Sequence, residues 1–496
     1  MMKYQVLQSF RTFFLSYITL LSGFILIAGF SSRKPAERLH VRIFTPTPRD
    51  SIRLKKFVFK FKGEKGGKYI DATVSQNELT KITSSGFKVA FISSSKKNSS
   101  IPPSYRPLDE IEDKLLSLRL KYPDIISVEK IGESTALRQP IWGVKVSDHV
   151  TKREDEPRIL FMGVHHAREP IGAKICLKII NTLCSKYAKD VKIRNWVDRM
   201  EIWFVPVVNP DGYKYVLENN LSFPWWRKNL RDNDKDGVFN PLYDGVDLNR
   251  NYDYNWSEGG DGKPSSWFYR GSQPFSEKET LAIMKLAMRE NFVIGISYHS
   301  YGESILFPWG NYKRPPDLEL IVDIASAMAA KIKKQSGRGK YSILPLNGRV
   351  GQSSIWMYGQ LRVLDYIVEV GTEYFPDEES IPFILKENLN GAFYAFERVL
   401  ETGIRGHIFD ANTRQPLLAE VEVKQFSAEH IKPRKTDAQF GSFYRLLNPG
   451  NFTLEIKSKG YVSKIIKNVN VRKGRFVDLE VGLHNKQKSL TNGVSH

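Results

Sequence analysis

The segment ILFMGVHHAREP, residues 159–170, joins an apolar run to a run of polar side chains. Residues 159–164 are continuously apolar, which is typical of a strand buried on both faces of a sheet. His166 and Glu169 follow three positions apart, so one helical turn would bring both side chains to the same side. Imidazole and carboxylate are ordinary Zn²⁺ ligands, but the pair alone is a weak signal because polar helix starts look the same. His165 is the alternative ligand to His166.

Other apolar runs and helical patterns surround this segment. Residues 201–208 and 292–299 have the pattern of buried strands, and residues 170–187 and 277–290 have helical spacing. Alternating strands and helices predict an α/β domain with a largely buried central sheet. We therefore expect the functional side chains at strand ends and in the loops beyond them.

Two of these strand ends carry further candidates. His299 ends one apolar run, and Glu369 follows the apolar residues 366–368. Two histidines and one glutamate leave a fourth position for water, which is the mark of a catalytic zinc site. A carboxylate at position 369 could take the proton of that water and pass it to a leaving amine.

Six short segments strengthen this interpretation, in the order HARE (166–169), NPDG (209–212), WRK (226–228), GVDLNRN (245–251), HSY (299–301) and YIVE (366–369). On these segments, residues 105–402 resemble the zinc carboxypeptidases that include carboxypeptidases A, B and T. The resemblance implies a central mixed, twisted sheet flanked by helices. It also implies hydrolysis of the C-terminal peptide bond of peptides or proteins by a zinc-activated water.

The resemblance also assigns roles by position. It implies one Zn²⁺ held by His166, Glu169 and His299. Glu369 would be the general base and then the general acid, and Arg227 would stabilise the oxyanion. The carboxylate of the substrate would be bound by Asn249 and Arg250, with Arg168 at a neighbouring subsite. An arginine suits this task because its planar guanidinium offers a carboxylate two hydrogen bonds.

The sequence departs from the family pattern around the substrate. Counting back from Glu369, the tyrosine that covers the substrate falls on Asn347, and the nearby Tyr341 could replace it only after a loop shift. The same counting places the specificity pocket at Gly310, Gln352 and Ser354. Since none of these is acidic, we expect a neutral or apolar C-terminal side chain rather than lysine or arginine.

The N-terminal part divides into two predicted segments. Lys3 and Arg11 precede an apolar run at 13–30, so residues 1–32 are predicted to be a signal peptide or an uncleaved anchor. Residues 33–100 alternate short strands, at 41–44, 57–61 and 87–92, with a helix at 76–83. They are predicted to form a small α/β unit, either a propeptide-like domain or a permanent N-terminal domain.

The predicted catalytic domain covers residues 101–403, and the pattern changes after it. Residues 404–484 contain short alternating strands divided by turns, which predicts an all-β sandwich. The segments GHIFD (406–410) and GSF (441–443) resemble the transthyretin-like, or regulatory-like, domain that follows some carboxypeptidases. Residues 485–496 are predicted to be a disordered tail.

Composition limits the partners and the compartment. The formal net charge of +20 favours association with anionic cell-surface polymers, but the basic residues are dispersed and no nucleic-acid motif accompanies them. Cys176 and Cys184 lie eight positions apart on one predicted helix, about 12 Å, too far for a disulfide. The N-terminal pattern, rather than the cysteines, therefore predicts a secreted, periplasmic or extracellular protein. The sequence is compatible with a monomer.

The loop DNDKDG, residues 232–237, is expected to be either a Ca²⁺ site or a bare polar turn. Asp232, Asp234 and Asp236 alternate before a glycine, as oxygen ligands do in a Ca²⁺ loop. The glutamate expected twelve positions into the loop is replaced by Tyr243, and Asp244 could substitute for it.

Two alternatives to a peptide carboxypeptidase remain open. One is a hydrolase of wall peptides that uses the same site on unusual amino acids. The other is a binding protein that has lost its activity, and the intact metal ligands and Glu369 argue against it.

Overall fold

A computed structural model describes residues 38–44, 61–65, 69–75, 89–91, 102–218, 224–310 and 313–486, with scattered residues between 50 and 87. The predicted signal or anchor, residues 1–32, lies outside these residues, as does most of the predicted tail. No helix within the described part is long and apolar enough to cross a membrane. The chain forms two compact units, Met1–Ser94 and Ser95–His496.

The first unit contains a four-stranded antiparallel sheet. Its strands are β1 (Arg38–Phe44), β2 (Phe61–Lys65), β3 (Tyr69–Ser75) and β4 (Val89–Phe91), in the order β2-β3-β1-β4. Strand β3 was not predicted from the sequence, although its buried Ile70, Ala72 and Val74 alternate as in a half-buried strand. The predicted strand at 57–61 falls almost entirely outside the described residues.

An eight-stranded mixed sheet forms the centre of the second unit. Its strands are β5 (Ile126–Glu133), β6 (Pro140–Val146), β7 (Arg158–Gly163), β8 (Glu201–Val205), β9 (Ile294–His299), β10 (Ser304–Phe307), β11 (Ser342–Pro345) and β12 (Leu364–Glu369). The order is β11-β10-β12-β9-β7-β8-β6-β5. The middle strands β12, β9, β7 and β8 are parallel, while β10 and β6 run antiparallel to their inner neighbours.

Helices cover both faces of this sheet. They are α1 (Leu108–Lys121), α2 (Ile171–Lys186), α3 (Val191–Val197), α4 (Pro210–Glu218), α5 (Lys278–Glu290), α6 (Leu318–Ala329), α7 (Ser353–Leu361) and α8 (Ile381–Val399). The predicted α/β fold with a mixed central sheet flanked by helices is confirmed. Cys176 and Cys184 are both buried and free on α2.

Two glycines bring α2 close to the end of β7. A Cβ on Gly163 would lie 2.6 Å from the carbonyl oxygen of Pro206 and 2.7 Å from the carbonyl carbon of Gly172. A Cβ on Gly172 would lie 3.0 Å from the carbonyl oxygen of Tyr298. Because neither glycine has a side chain, the turn between β7 and α2 is held tightly against the end of β9. That turn carries the histidines of the opening segment.

The C-terminal region is rich in β-strands, as predicted. Its strands are β13 (Gly403–Asp410), β14 (Glu420–Val423), β15 (Arg434–Lys435), β16 (Ser442–Leu446), β17 (Gly450–Lys457), β18 (Lys464–Val471) and β19 (Phe476–Leu483). They form two sheets, β16-β13-β19 and β15-β14-β17-β18, which share an apolar core. Ile431 and Leu446 of this region belong instead to the core around the large sheet.

Hydrogen bonds join the C-terminal region to helix α7 and to the start of β9. The backbone N–H of Lys432 donates to the carbonyl of Gly359 at 2.8 Å. The buried guanidinium of Arg434 donates to the carbonyls of Phe292, at 2.5 Å, and Leu361, at 3.2 Å. The C-terminal region therefore supports elements that reach the candidate site.

Candidate active site

Three buried side chains converge where β7 and β9 end. Oε2 of Glu169 lies 2.9 Å from Nδ1 of His166 and 2.8 Å from Nδ1 of His299. The two Nδ1 atoms are 3.0 Å apart. Two imidazole nitrogens and a carboxylate oxygen that face one point suit a single Zn²⁺, which takes N and O ligands. The residues present therefore fit the metal predicted for them.

Hydrogen-bonding groups behind the histidines orient this set. Nε2 of His166 lies 3.3 Å from Oδ1 of Asp247, and Nε2 of His299 lies 3.4 Å from Nδ2 of Asn249. Such partners fix the ring orientation and tautomer of metal-binding histidines. Oδ2 of Asp247 accepts from Nε of Arg227 at 2.9 Å. Asp247 was not predicted as a site residue from the sequence, and its position within GVDLNRN was the available signal.

Charge keeps Asp247 ionised despite its burial. Burial alone would raise the pKa of its carboxyl, but the guanidiniums of Arg227 and Arg250 hold that pKa well below its usual value. One carboxylate thus connects the metal set to the predicted oxyanion arginine.

His165 lies outside the metal set. Its Nε2 is 3.0 Å from Oη of Tyr252, and its Nδ1 is 3.1 Å from Oγ of Ser297. Burial, followed by the neighbouring His299 and His166, lowers its pKa well below the usual value, so the ring is neutral. The structure thus assembles His166 rather than its neighbour with Glu169.

Glu369 ends β12 beside the metal set. It is paired in register with His299 on β9. Burial raises the pKa of its carboxyl to about 8, and the negative charge of Glu169 acts in the same direction. The cations Arg349 and Arg227 oppose this shift. Arg349 was not selected from the sequence and lies on the exposed loop before α7.

The predicted arginines surround the same space. Nε of Arg227 is held by Asp247, and its Nη1 lies 3.9 Å from Oε1 of Glu169. Nη1 of Arg250 donates to the carbonyl of Asn249 at 2.6 Å. The guanidiniums of Arg227 and Arg250 lie 5.3 and 5.7 Å from the ring centre of Phe268. Two cations thus flank one partly exposed ring.

Asn249 and Arg168 have other contacts as well. Oδ1 of Asn249 accepts from the backbone N–H of Ser353, the first residue of α7, at 3.0 Å. The guanidinium of Arg168 stacks over Tyr374, 4.1 Å from the ring centre, and lies 5.3 Å from that of Trp267. Arg168 is therefore at the aromatic edge of the site rather than beside Arg250.

The two candidate lid positions differ in burial. Asn347 is exposed on the loop between β11 and α7. Tyr341 is buried, and its Oη accepts from the backbone N–H of Gly371 at 3.2 Å. A loop shift that used Tyr341 as a lid would break this contact and expose a core side chain.

The acidic loop supports only part of the predicted calcium set. Carboxylate oxygens of Asp232, Asp234 and Asp244 come within 4.8 Å of one another, and Asp236 is not in that group. Oδ1 of Asp236 instead accepts from the N–H of Val238 at 2.7 Å. Calcium here stays a prediction, because acidic side chains alone do not establish a site.

Fold and site together define a class: an α/β protein with two histidines and one glutamate at the ends of parallel strands, facing a further glutamate and two arginines. Comparison with known sequences places the chain more narrowly. The profile of the zinc carboxypeptidase family matches residues 111–391, more than half of the 496 residues. The chain belongs to the zinc carboxypeptidase family.

Individual relatives agree with this assignment. Carboxypeptidase A4 of Mus musculus is 31% identical over 262 residues, covering 51% of this chain and 60% of the relative. Carboxypeptidase D of Homo sapiens is 24% identical over 374 residues, covering 71% of this chain and 25% of the relative. The chain thus spans between a quarter and three fifths of the length of these two relatives.

A solved structure shows the same fold. Bovine thrombin-activatable fibrinolysis inhibitor, in complex with tick carboxypeptidase inhibitor, aligns with a TM-score of 0.51 and 26% identity. The alignment covers 59% of this chain and 96% of that one.

Proposed function

We propose that this protein is a zinc-dependent carboxypeptidase that releases single residues from the free C-terminus of peptides or proteins. The observation that carries the proposal is the convergence of His166, Glu169 and His299 within hydrogen-bond distance of one another, beside Glu369 and two arginines. Family membership supports the same activity.

The proposal gives separate roles to the metal ligands and to the catalytic glutamate. His166, Glu169 and His299 would hold Zn²⁺, which as a Lewis acid would polarise the scissile carbonyl and make water a better nucleophile. Glu369 takes the proton from the attacking water and later gives it to the nitrogen of the leaving amino acid. The high pKa of its carboxyl, about 8, suits a group that both accepts and donates a proton near neutral pH.

Arginines supply the remaining electrostatic contacts. Arg227 stabilises the negative charge that develops on the carbonyl oxygen, and Asp247 holds its guanidinium in place through Nε. Arg250 binds the terminal carboxylate of the substrate with Asn249. Burial, together with the charges of Arg227 and Arg349, lowers the pKa of Arg250 to about 10, so it stays cationic at neutral pH.

The experiment that tests this proposal is a hydrolysis assay on the full chain. Peptides with a free C-terminus and their amidated counterparts are incubated with and without a zinc chelator, and released amino acids are measured. We expect release from free peptides only, lost on chelation and lost in Glu369→Gln. The exposed Glu373→Gln is the matched control and should retain activity.

Other outcomes are equally informative. Cleavage of amidated peptides would remove the role given to Arg250. Release only from peptides with unusual amino acids would favour the wall-peptide hydrolase. Zinc binding without turnover of any substrate would favour a binding protein and contradict the proposal.

Several finer features belong to the proposal as well. Residues 1–32 direct export, residues 33–100 act as a propeptide-like domain, and residues 404–484 form a transthyretin-like sandwich. Calcium would occupy the loop at 232–237. Sequencing the N-terminus of the exported protein tests the first two points, and calcium titration by calorimetry, with Asp232→Asn as the variant, tests the last.

A further inference from the structure

Three apolar side chains are exposed at one end of the C-terminal region. The exposed fractions are 57% for Leu418, 46% for Val462 and 57% for Ile465. Val462 lies in the turn between β17 and β18, and Oγ of Ser458 in the same turn donates to the carbonyl of Leu418 at 3.0 Å. Single exposed apolar side chains are ordinary, but neighbouring ones indicate a binding surface. We call residues 458–467, together with Leu418, the hairpin tip.

Hydrogen bonds hold the turn of the hairpin tip in place. Oη of Tyr461 donates to Oδ2 of Asp410 at 2.9 Å, and the N–H of Tyr461 donates to the carbonyl of Ser458 at 3.1 Å. The N–H of Val462 donates to the carbonyl of His484 at 2.9 Å. These bonds fix the turn to the ends of β13 and β19. The apolar side chains therefore cannot fold back onto the core unless these bonds break.

The same stretch of the chain is strongly cationic. Residues 456–477 contain no aspartate or glutamate, and their lysines and arginines are at positions 457, 459, 464, 467, 472, 473 and 475. Lys459, Lys464 and Lys467 are exposed and form no ion pair with any residue that the structure describes. Their charges therefore remain available to an anionic partner.

Two acidic side chains near the hairpin tip are already satisfied within the protein. Glu455 lies opposite Ile465 in the register of β17 and β18. Its carboxylate oxygens contact Nζ of Lys424 at 2.9 Å and Nζ of Lys457 at 3.0 Å. Asp410 is buried and accepts from two backbone N–H groups as well as from the turn. These carboxylates therefore do not neutralise the three unpaired lysines.

The lysines by themselves have an ordinary explanation. Strand β18 is at the edge of its sheet, and charged side chains on an edge strand prevent pairing with other chains. This explanation does not account for Val462 and Ile465, because exposed apolar side chains on an edge favour association. Lysines beside exposed aliphatic side chains match a membrane surface, where acyl chains accept the apolar groups and lipid phosphates accept the ammonium groups.

The hairpin tip lies away from the point where the chain enters the C-terminal region. The chain enters after Thr402, and Gly403 pairs with Phe476 where the parallel strands β13 and β19 begin. The last pair of these strands, Asp410 with Leu483, lies about 23 Å further along at about 3.3 Å per residue. The tip is bonded to this far end, so a surface bound there would not meet the entry point.

We propose that the hairpin tip binds the surface of a membrane that contains anionic lipids. The three exposed apolar side chains enter the boundary between headgroups and acyl chains, and the three unpaired lysines contact the lipid phosphates. A lysine near an anionic surface contributes about 5-fold in affinity, so the three contribute on the order of 100-fold. An anionic polymer would use the lysines alone, and a second copy of the chain would bring like charges together. The inference does not depend on the proposed peptidase activity.

Flotation of the full chain with lipid vesicles measures this binding. The vesicles contain phosphatidylcholine alone, or three parts phosphatidylcholine to one part phosphatidylglycerol. The lysine variant is Lys459→Gln/Lys464→Gln/Lys467→Gln, and the apolar variant is Leu418→Ser/Val462→Thr/Ile465→Thr. The matched control makes the same charge change at three exposed lysines elsewhere, Lys114→Gln/Lys186→Gln/Lys189→Gln. Circular dichroism melting curves check that each variant folds.

We expect the wild type to bind anionic vesicles at least 20-fold more tightly than neutral ones. The lysine variant should lose at least 20-fold in affinity and the control variant less than 3-fold. The apolar variant should lose at least 5-fold, also at high salt, because salt screens charges but not apolar burial. Equal binding to both vesicle types, or a lysine variant within 3-fold of the wild type, would overturn the inference. A loss in the lysine variant alone would indicate an anionic polymer and would also overturn it.

A fluorophore at the tip separates this contact from any insertion of residues 1–32. An environment-sensitive dye is attached to Ser463→Cys in the tip or, as the control, to the exposed Ser427→Cys after β14. Cys176 and Cys184 are buried and therefore protected from the dye. We expect a blue shift of emission only at position 463 and only with anionic vesicles. No shift at position 463, or an equal shift at position 427, would contradict the inference even if the protein floats with the vesicles.

Discussion

Asp247→Asn removes one negative charge and keeps the shape of a side chain that joins two parts of the site. In the wild type, Oδ1 lies 3.3 Å from Nε2 of His166 and Oδ2 accepts from Nε of Arg227 at 2.9 Å. The asparagine has one carbonyl oxygen and one NH₂ group. It can accept from only one of these two donors, so the other donor meets an N–H group instead.

The expected losses of zinc affinity and of kcat in Asp247→Asn follow from these two contacts. Loss of a carboxylate behind a metal-binding histidine typically weakens metal affinity about 10–100-fold, or about 1.4–2.7 kcal/mol. At saturating zinc, kcat should still fall by up to about 100-fold, because Arg227 loses the partner that positions it. This is below the full cost of about 100–1,000-fold for removing an oxyanion donor.

Two assays measure these effects separately. Zinc affinity is determined by competition with a chromophoric chelator, and kcat is determined on a free peptide at saturating zinc. Asp236→Asn, an exposed aspartate on the acidic loop, is the control and should change neither value. Zinc affinity and kcat both within 3-fold of the wild type would refute the reasoning that Asp247 couples the metal set to Arg227.

Three further predictions concern the catalytic glutamate, the carboxylate site and the buried acid Asp365. Glu369→Gln should reduce kcat at least 100-fold at unchanged zinc content, because the amide accepts no proton; plasma emission spectrometry on the purified variant checks the metal. Arg250→Met should raise KM for free peptides at least 10-fold and abolish the preference for free over amidated peptides, as steady-state kinetics would show. Burial raises the pKa of the Asp365 carboxyl to about 8, so the folded protein binds this proton more tightly than the unfolded chain. The wild type should therefore lose stability relative to Asp365→Asn as pH rises from about 4 to about 8, by at most about 1.4 kcal/mol per pH unit. Urea unfolding at pH 5, 6 and 7 measures this change, and a difference in unfolding free energy that stays constant with pH would contradict the prediction.

Local patterns in the sequence predicted most of the sheet and helices around the site. The runs at 159–164 and 292–299 correspond to β7 and β9, and the helical spacing at 277–290 corresponds to α5. Strand β3 was missed because its apolar positions alternate with polar ones and its neighbours are charged. Hydrophobic continuity signals strands buried on both faces more strongly than strands of a half-exposed sheet.

The chemistry of the candidate site could also be predicted, because its residue types and order are local properties. His166 and Glu169 follow β7, and His299 and Glu369 end β9 and β12. Parallel strands bring such ends to one edge of a sheet. The positions counted for the specificity pocket, Gly310, Gln352 and Ser354, were less informative, because counting along the chain finds only residues that match an expected spacing.

The sequence by itself determined the α/β class, the order of the motifs and the residue types of the candidate metal ligands. These depend on hydrophobic periodicity and on spacings of a few residues. Only the tertiary structure decided that His165 bonds to Tyr252 and Ser297, that Asp247 joins His166 to Arg227, and that the Asp365 carboxyl is buried without a hydrogen-bond partner among the described residues. These contacts join residues that are far apart in sequence, and strand register and helix packing determine which of them meet.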